Sequence, residues 1–307
     1  MKTIYLKFVD FWHEFNMTNN IFLDCLKKHY NVILSDNPDY IIYSVFGHEY
    51  LKYDCVRIFY TSENIRPDFN LCDYAIAFDW MIFEDRYIRL PVYMLYEADL
   101  EKAMAKHRIS LEDLSKKHRF CNFVYSNVNA HSARTDFLEL MNAYKKVDSG
   151  GGYLNNLGYR VTDKLKFQEN YKFSIAFENS STSGYTTEKI IQAFAAKTVP
   201  IYWGNPVINR EFSTKSFINC HEYNCFADVI KKIIEIDTND DIYADMLKTP
   251  IYQNINSTDI LSLSSLRNFL EGIFNQETDR AFRRAKSLHE VCYEKLRYFV
   301  LNSRRFL

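Results

Sequence analysis

At 307 residues the chain is long enough for two α/β domains of ordinary size, each with its own core. Its 47% hydrophobic and 25% charged residues are the mix of a soluble globular protein. A net charge of −1 leaves no global basic field and so argues against nucleic acid as the main partner. Aromatic residues reach 16%, a surplus that core packing, compositional bias or sugar-stacking platforms would each explain.

The N-terminal third alternates strand and helix patterns. Thr3–Val9 predicts a strand, Asn20–His29 an amphipathic helix and Asn31–Ser35 a second strand. Tyr40–Phe46, Val56–Thr61 and Tyr74–Phe78 are short runs rich in Ile, Val, Phe and Tyr, as strands buried in a parallel sheet tend to be. The polar stretch Glu97–His118 then predicts a helical connection to a second unit. That unit opens with the strand Phe120–Ser126 and a helix from about Ser132 to Lys146. The loop Ser149-Gly150-Gly151-Gly152 follows. It has neither the Gly-x-Gly-x-x-Gly order nor the P-loop lysine, so it is a weak phosphate signal.

Residues 173–204 carry the densest pattern. An apolar strand, Phe173–Phe177, ends in Glu178-Asn179-Ser180 and a run of small polar residues around Gly184. A helix opened by Thr186 or Thr187 follows, then a strand, Val199–Trp203, that stops at Gly204. This βαβ order places the turn and the helix N-terminus at the carboxyl edge of a parallel sheet, where free N–H groups and the helix dipole favour phosphate. Tyr185, Glu188 and Lys189 offer a donor, an acceptor and a cation on one short arc, suited to a ligand with hydroxyls and phosphates. Taken singly, Glu188 and Lys189 read as solvated first-turn charges.

Phe217–Asn219, the helix Cys225–Ile236 and further helices to about residue 275 complete the second unit. Two βα-rich halves of similar size predict an α/β fold of GT-B architecture, two Rossmann-like domains facing a cleft. The predicted divisions are 1–117, 118–278 and a C-terminal tail, 279–307. From Arg280 to Leu307 there are eight Arg or Lys against two Glu, with Phe282, Ala285, Leu288, Cys292, Leu296 and Phe299 at helical spacing. Such a stripe fits a basic amphipathic helix resting on an anionic membrane, or one packed back across the two domains. For Arg304-Arg305-Phe306-Leu307 the membrane is the preferred expectation.

The seven cysteines are odd in number and scattered, which favours reduced intracellular thiols over a disulfide scaffold. Cys220-His221 with Cys225 lacks a second ligand pair at zinc-finger spacing. Met1-Lys2-Thr3 leads straight into a strand, without signal-peptide architecture or an apolar run of about 18 residues. Asn179-Ser180-Ser181 is a glycosylation sequon within the proposed site, where a glycan would block it. The expected location is therefore cytoplasmic, with peripheral contact at the inner membrane face.

The run 177–204, FENSSTSGYTTEKIIQAFAAKTVPIYWG, resembles the nucleotide-sugar signature of the α1,3/4-fucosyltransferase family. There an F-E-N-S strand end, a Y-x-T-E-K helix start and a V-P-x-Y-W-G strand occur in this order. Residues 119–158 resemble the family's donor-domain opening, where an F-C-x-F-V-x-S-N strand precedes an Arg-bearing helix and an S-G-G loop. Thr61-Ser62-Glu63-Asn64, Pro67-Asp68-Phe69-Asn70 and Asp73-Tyr74-Ala75-Ile76 resemble its acceptor-side segment. The similarity spans about residues 57–225 and is closest to the bacterial α1,3-fucosyltransferases.

The resemblance implies an inverting enzyme that moves L-fucose from GDP-β-L-fucose to the 3-hydroxyl of GlcNAc in Galβ1-4GlcNAc-type acceptors, as in Lewis x-type synthesis on a surface polysaccharide. It implies that 1–117 binds the acceptor and 118–278 the donor. Position by position, it gives Glu63 as general base, Arg134 and Lys189 as contacts to the donor phosphates, Asn179 and Tyr185 as further contacts to diphosphate and nucleoside, and Glu188 as the ribose ligand. Thr186 stands where the family usually has Val or Ile, at a position expected to point away from the ligand. Without the resemblance, Glu63 reads equally as a turn carboxylate. Arg134 near a helix start runs against the dipole preference for acids, which favours an anionic ligand. A member with another donor or acceptor, or a non-catalytic nucleotide-sugar- or glycan-binding module, are the alternatives.

Leaving-group charge in sugar transfer is met by a metal, commonly on an Asp-x-Asp element, or by cations and helix N–H groups. No Asp-x-Asp triplet occurs in the sequence. The expectation is therefore no metal and no cofactor.

Overall fold

Both halves of the chain form all-parallel sheets, as their continuous apolar runs predict. A computed structural model describes residues 1–252, 263–284 and 288–303. It divides into one unit of Met1–Leu90 with Thr258–Leu307 and another of Pro91–Ser257.

The first unit begins with β1 (Lys2–Val9), α1 (Ile21–Leu26) and β2 (Tyr30–Leu34). Asn20 starts α1 by accepting the Leu23 N–H on its side-chain oxygen at 3.1 Å. The helix is shorter than Asn20–His29 because the chain must straighten to enter β2 at Tyr30. Then come β3 (Tyr40–Tyr43), β4 (Val56–Tyr60) and β5 (Tyr74–Ala77), in which every residue is buried. Strands buried on both faces show no period-two alternation. β6 (Tyr87–Arg89) is too short to leave a pattern in the sequence. The order is β2-β1-β3-β4-β5-β6 with all pairings parallel, so the strand order reverses at β1/β3.

The second unit opens with α2 (Glu97–Met104) and α3 (Leu111–Ser115), two short helices where the sequence predicts a single connection. β7 (Arg119–Phe123), α4 (Ala133–Tyr144), β8 (Val147–Ser149), α5 (Lys164–Gln168), β9 (Tyr171–Phe177), α6 (Glu188–Ala195), β10 (Val199–Trp203), β11 (Ile218–Asn219), α7 (Phe226–Asp237) and α8 (Asp240–Lys248) follow. The order is β11-β10-β9-β7-β8, all parallel, with its reversal at β7/β9. In open parallel sheets, ligands bind outside the carboxyl ends of the strands at such a reversal. Phe123, Phe137, Met141, Phe173, Phe177 and Ile201 fill the core beneath this edge.

The first boundary differs from 117/118, because the segment from Pro91 packs into the second unit. Gln192 of α6 donates to Asp99 of α2 at 3.3 Å. The buried Lys106 ammonium donates to the carbonyls of Ser216, Met246 and Thr249 at 3.3, 2.9 and 3.4 Å. The second boundary differs because α9 (Leu263–Phe274), α10 (Thr278–Ala281) and α11 (Leu288–Ser303) rejoin the first unit. Lys2 donates to the Phe274 carbonyl at 2.7 Å. Asp73, fully buried, accepts the N–H groups of Arg283 and Arg284, each at 2.7 Å, and pairs with the Arg284 guanidinium.

One side of α11 docks on the same unit, with Glu294 bound to Arg57 at 2.9 Å and Tyr293 donating to Asp68 at 2.9 Å. Leu296 and Phe299 are 62% and 70% exposed. Of the predicted stripe and tail, residues 285–287, which include Ala285, and Arg304-Arg305-Phe306-Leu307 lie outside the described residues.

Candidate active site

The carboxyl end of β9 is organised around Glu178, a fully buried carboxylate. Burial there is tolerable only if both oxygens are partnered. Oε1 accepts the Thr187 N–H at 2.8 Å, and Oε2 accepts the Lys189 ammonium at 3.0 Å. The Thr187 hydroxyl lies 3.0 and 2.8 Å from the two oxygens and accepts from Lys189 at 2.8 Å. Thr187 is thus the N-cap residue of α6, yet the helix start is tied down by the carboxylate nine residues earlier. Gly204 makes room for it, since a Cβ there would come within 2.4 Å of the Glu178 Cγ.

Glu188 and Lys189 open α6, with Lys189 Nζ 3.7 Å from Glu188 Oε1. Burial works against the Lys189 charge, but Glu178, Glu188 and Tyr185 outweigh it and hold the ammonium well above its usual pKa. Burial likewise opposes the Glu188 carboxylate, and Lys189 and Lys164 outweigh it, so its pKa is lowered. Both groups are therefore charged at neutral pH.

Across the strand reversal, α4 carries Arg134, only 2% exposed. Its Nη2 donates to the Phe177 carbonyl at 2.9 Å and to Asn179 Oδ1 at 2.7 Å. The guanidinium lies 4.2 Å over the Tyr125 ring. Tyr125 braces this edge by donating to the Ile175 carbonyl and accepting the Phe177 N–H, at 2.7 and 2.6 Å. Among the described residues no carboxylate pairs with Arg134, and its buried Nε–H has no acceptor. The structure therefore brings Arg134, Asn179, Glu188 and Lys189 to one sheet edge.

Tyr185 belongs to the same turn, but its side chain is buried and its carbonyl accepts the Tyr202 hydroxyl at 3.4 Å. Thr186 is fully buried and donates to Glu211 at 3.1 Å, while Asn205 donates to its hydroxyl at 3.1 Å. The glycine loop serves close approach: a Cβ on Gly151 would lie 1.9 Å from the Tyr125 carbonyl oxygen. His221 Nε2 lies 3.2 Å from the Gly204 carbonyl oxygen.

Glu63 belongs to the first unit, in the turn after β4, and is partly exposed. Its N–H donates to the Thr61 hydroxyl at 2.9 Å, and that hydroxyl donates back to the Glu63 carbonyl at 3.1 Å. This turn is built from backbone and Thr61, so it does not require the Glu63 carboxylate as a cap.

Glu178 and Tyr125 have structural roles that the sequence reading left unassigned. A glutamate ending a continuous apolar strand was the signal for Glu178, since a buried carboxylate there must find a helix N-terminus or a cation.

Two family models cover most of the chain. Residues 6–96 match the α-(1,3)-fucosyltransferase FucT N-terminal domain, and residues 114–259 match the C-terminal part of glycosyltransferase family 10 (fucosyltransferase). The α-(1,3)-fucosyltransferase FucT of Helicobacter pylori is 34% identical over 322 aligned positions, covering 89% of this chain. The chain spans 66% of that protein's length and smaller shares of other curated relatives. A crystal structure of an α1,3-fucosyltransferase superposes with a TM-score of 0.79 at 30% identity, covering 90% of this chain and 91% of that one. A crystal structure of α1,3-fucosyltransferase with GDP-fucose gives 0.79 at 28% identity, covering 93% and 94%. The sheet topology, the charged edge and these similarities agree: the fold is GT-B, and the chain belongs to the α1,3-fucosyltransferases of glycosyltransferase family 10.

Proposed function

We propose that the protein transfers L-fucose from GDP-β-L-fucose, with inversion, to the 3-hydroxyl of GlcNAc in Galβ1-4GlcNAc-type acceptors, in Lewis x-type glycan synthesis on a surface polysaccharide. The observation that carries the donor half is Arg134, a buried cation with a spare donor and no described carboxylate partner, at the strand reversal of the second sheet. Burying such a charge is costly unless an anion answers it, and a diphosphate would do so. Lys189 supplies a second cation, Asn179 a further polar contact, and Glu188 a carboxylate suited to the two ribose hydroxyls. Tyr185 acts from within the turn, by fixing its shape under the nucleotide.

In the reaction the acceptor oxygen forms a bond to the anomeric carbon as the bond from that carbon to the diphosphate breaks. The acceptor's proton passes to Glu63, and the bonding pair leaves with GDP, whose charge Arg134, Lys189 and helix N–H groups meet. One displacement turns a β-linked donor into an α-linked product.

No metal or other cofactor has a part in this scheme. An acceptor panel assayed with GDP-fucose and EDTA tests it, with product linkage read by NMR. Activity on N-acetyllactosamine acceptors should survive chelation with at most a modest loss. Complete loss, restored by Mn²⁺ or Mg²⁺, would place a metal at the diphosphate instead.

A cytoplasmic site of action fits Asn179, whose amide oxygen is occupied by Arg134 and which a glycan would disturb. Among the described residues no helix is long and apolar enough to cross a membrane. We assign α11 a peripheral role at an anionic leaflet, supported by exposed Leu296 and Phe299 beside exposed Lys295, whereas Arg297 pairs with Asp68 at 3.7 Å on the docked side. Each basic residue near such a surface contributes about 1 kcal/mol. Sedimentation should show binding to anionic but not neutral liposomes, and equal partitioning to both would leave α11 with packing alone.

A further inference from the structure

His131 lies between β7 and α4, three residues before Arg134, and no sequence motif assigns it a role. Its backbone N–H donates to the Asn179 carbonyl at 2.9 Å, while Asn179 Oδ1 accepts from the Arg134 guanidinium at 2.7 Å. Asn179 thus ties both residues to the end of β9. The imidazole reaches past β9 to Trp203, the last residue of β10, with 5.0 Å between the ring centroids. It therefore lies across the end of β9, beside the strand reversal.

The two ring nitrogens differ. Nδ1 accepts the Ala133 N–H at 3.1 Å and so caps α4, whose N-cap residue Ser132 makes no side-chain bond of that kind. A ring nitrogen that accepts carries no proton, so the neutral ring keeps its proton on Nε2. The residue is exposed, and among the described residues Nε2 has no partner.

An N–H that can only donate suits an oxygen that only accepts. The buried Arg134 guanidinium, with its own spare Nε–H, and the N–H groups that open α4 make this edge favourable for an anion. A further cation here would be repelled by Arg134 and by the helix dipole, whereas a neutral imidazole adds a hydrogen bond without that cost. We propose that His131 is a further nucleotide-binding residue, giving its Nε2–H to a phosphate oxygen of the donor's diphosphate. This rests on the reading of the Arg134 edge as the diphosphate site.

Asparagine and glutamine substitutions separate the two nitrogens. The asparagine Oδ1 can replace Nδ1 as the cap but reaches no farther, while the glutamine amide reaches the place of Nε2 and leaves Ala133 uncapped. Calorimetry with GDP and guanosine, together with thermal melts, tests the wild-type chain, His131→Asn and His131→Gln. His131→Asn should keep its Tm, weaken GDP binding roughly tenfold and leave guanosine nearly unchanged. His131→Gln should lose a few degrees of Tm yet bind GDP more tightly than His131→Asn. The proposal alone would be overturned by wild-type GDP affinity in His131→Asn, by equal weakening of both ligands, or by GDP affinity that follows Tm, with glutamine the weaker binder. A wild type that binds GDP no more tightly than guanosine would overturn the diphosphate reading and this inference with it.

Discussion

Glu63→Gln is expected to lower turnover by roughly 10²–10⁴ while GDP affinity stays close to wild type. The substitution keeps the shape of the side chain and removes the group that takes the acceptor's proton. The fold should tolerate it, because the turn at 61–65 is held by the Thr61 hydroxyl, the Glu63 backbone and the Ile65 N–H donating to the Glu63 carbonyl at 2.7 Å. The carboxylate itself is partly exposed. Steady-state turnover and GDP calorimetry on the same preparation check the result. Retained turnover would move the base elsewhere. Lost GDP binding would make Glu63 a donor ligand.

Lys189→Ala and Arg134→Ala should each cost on the order of 2.7–4 kcal/mol of transition-state stabilisation, about 10²–10³ in turnover. Both cations also serve the fold, so activity must be read together with stability. Removing Lys189 leaves the Glu178 carboxylate buried without its ion pair, at a cost of about 3–5 kcal/mol in unfolding free energy. The double variant Lys189→Ala/Glu178→Gln separates the two effects. It should recover most of the lost Tm and little of the lost turnover, because the diphosphate still lacks its cation. Arg134→Ala frees the Phe177 carbonyl and Asn179, so Arg134→Lys is its gentler companion. The lysine keeps the charge but not the planar fork, and its turnover should fall between wild type and alanine. Wild-type turnover in both alanine variants would remove these residues from the donor site.

The sequence by itself determined the parallel sheets, the order of their longer strands along the chain and the family. Continuous Ile, Val, Phe and Tyr runs suit only strands covered on both faces, and the run from Phe177 to Gly204 carries a local chemical signature. Val199–Trp203 is a strand over the predicted span, since turn residues bound it on both sides. Short elements such as β6, β8 and α5 left no readable pattern, because three to five residues hold too little periodicity.

Only the tertiary structure decided where the domains divide. The contacts that join α2 to α6, and α9–α11 to the first sheet, link residues far apart in sequence, and such pairings leave no local trace. The same holds at the site. Arg134, Asn179, Glu188 and Lys189 were legible from their motifs, but the burial of Arg134 and the Glu178 brace under Thr187 and Lys189 were not. A charge in a sequence has no stated environment. Its pKa, its partners and whether it is left waiting for an anion are fixed by which strands end beside it and which helices cover it.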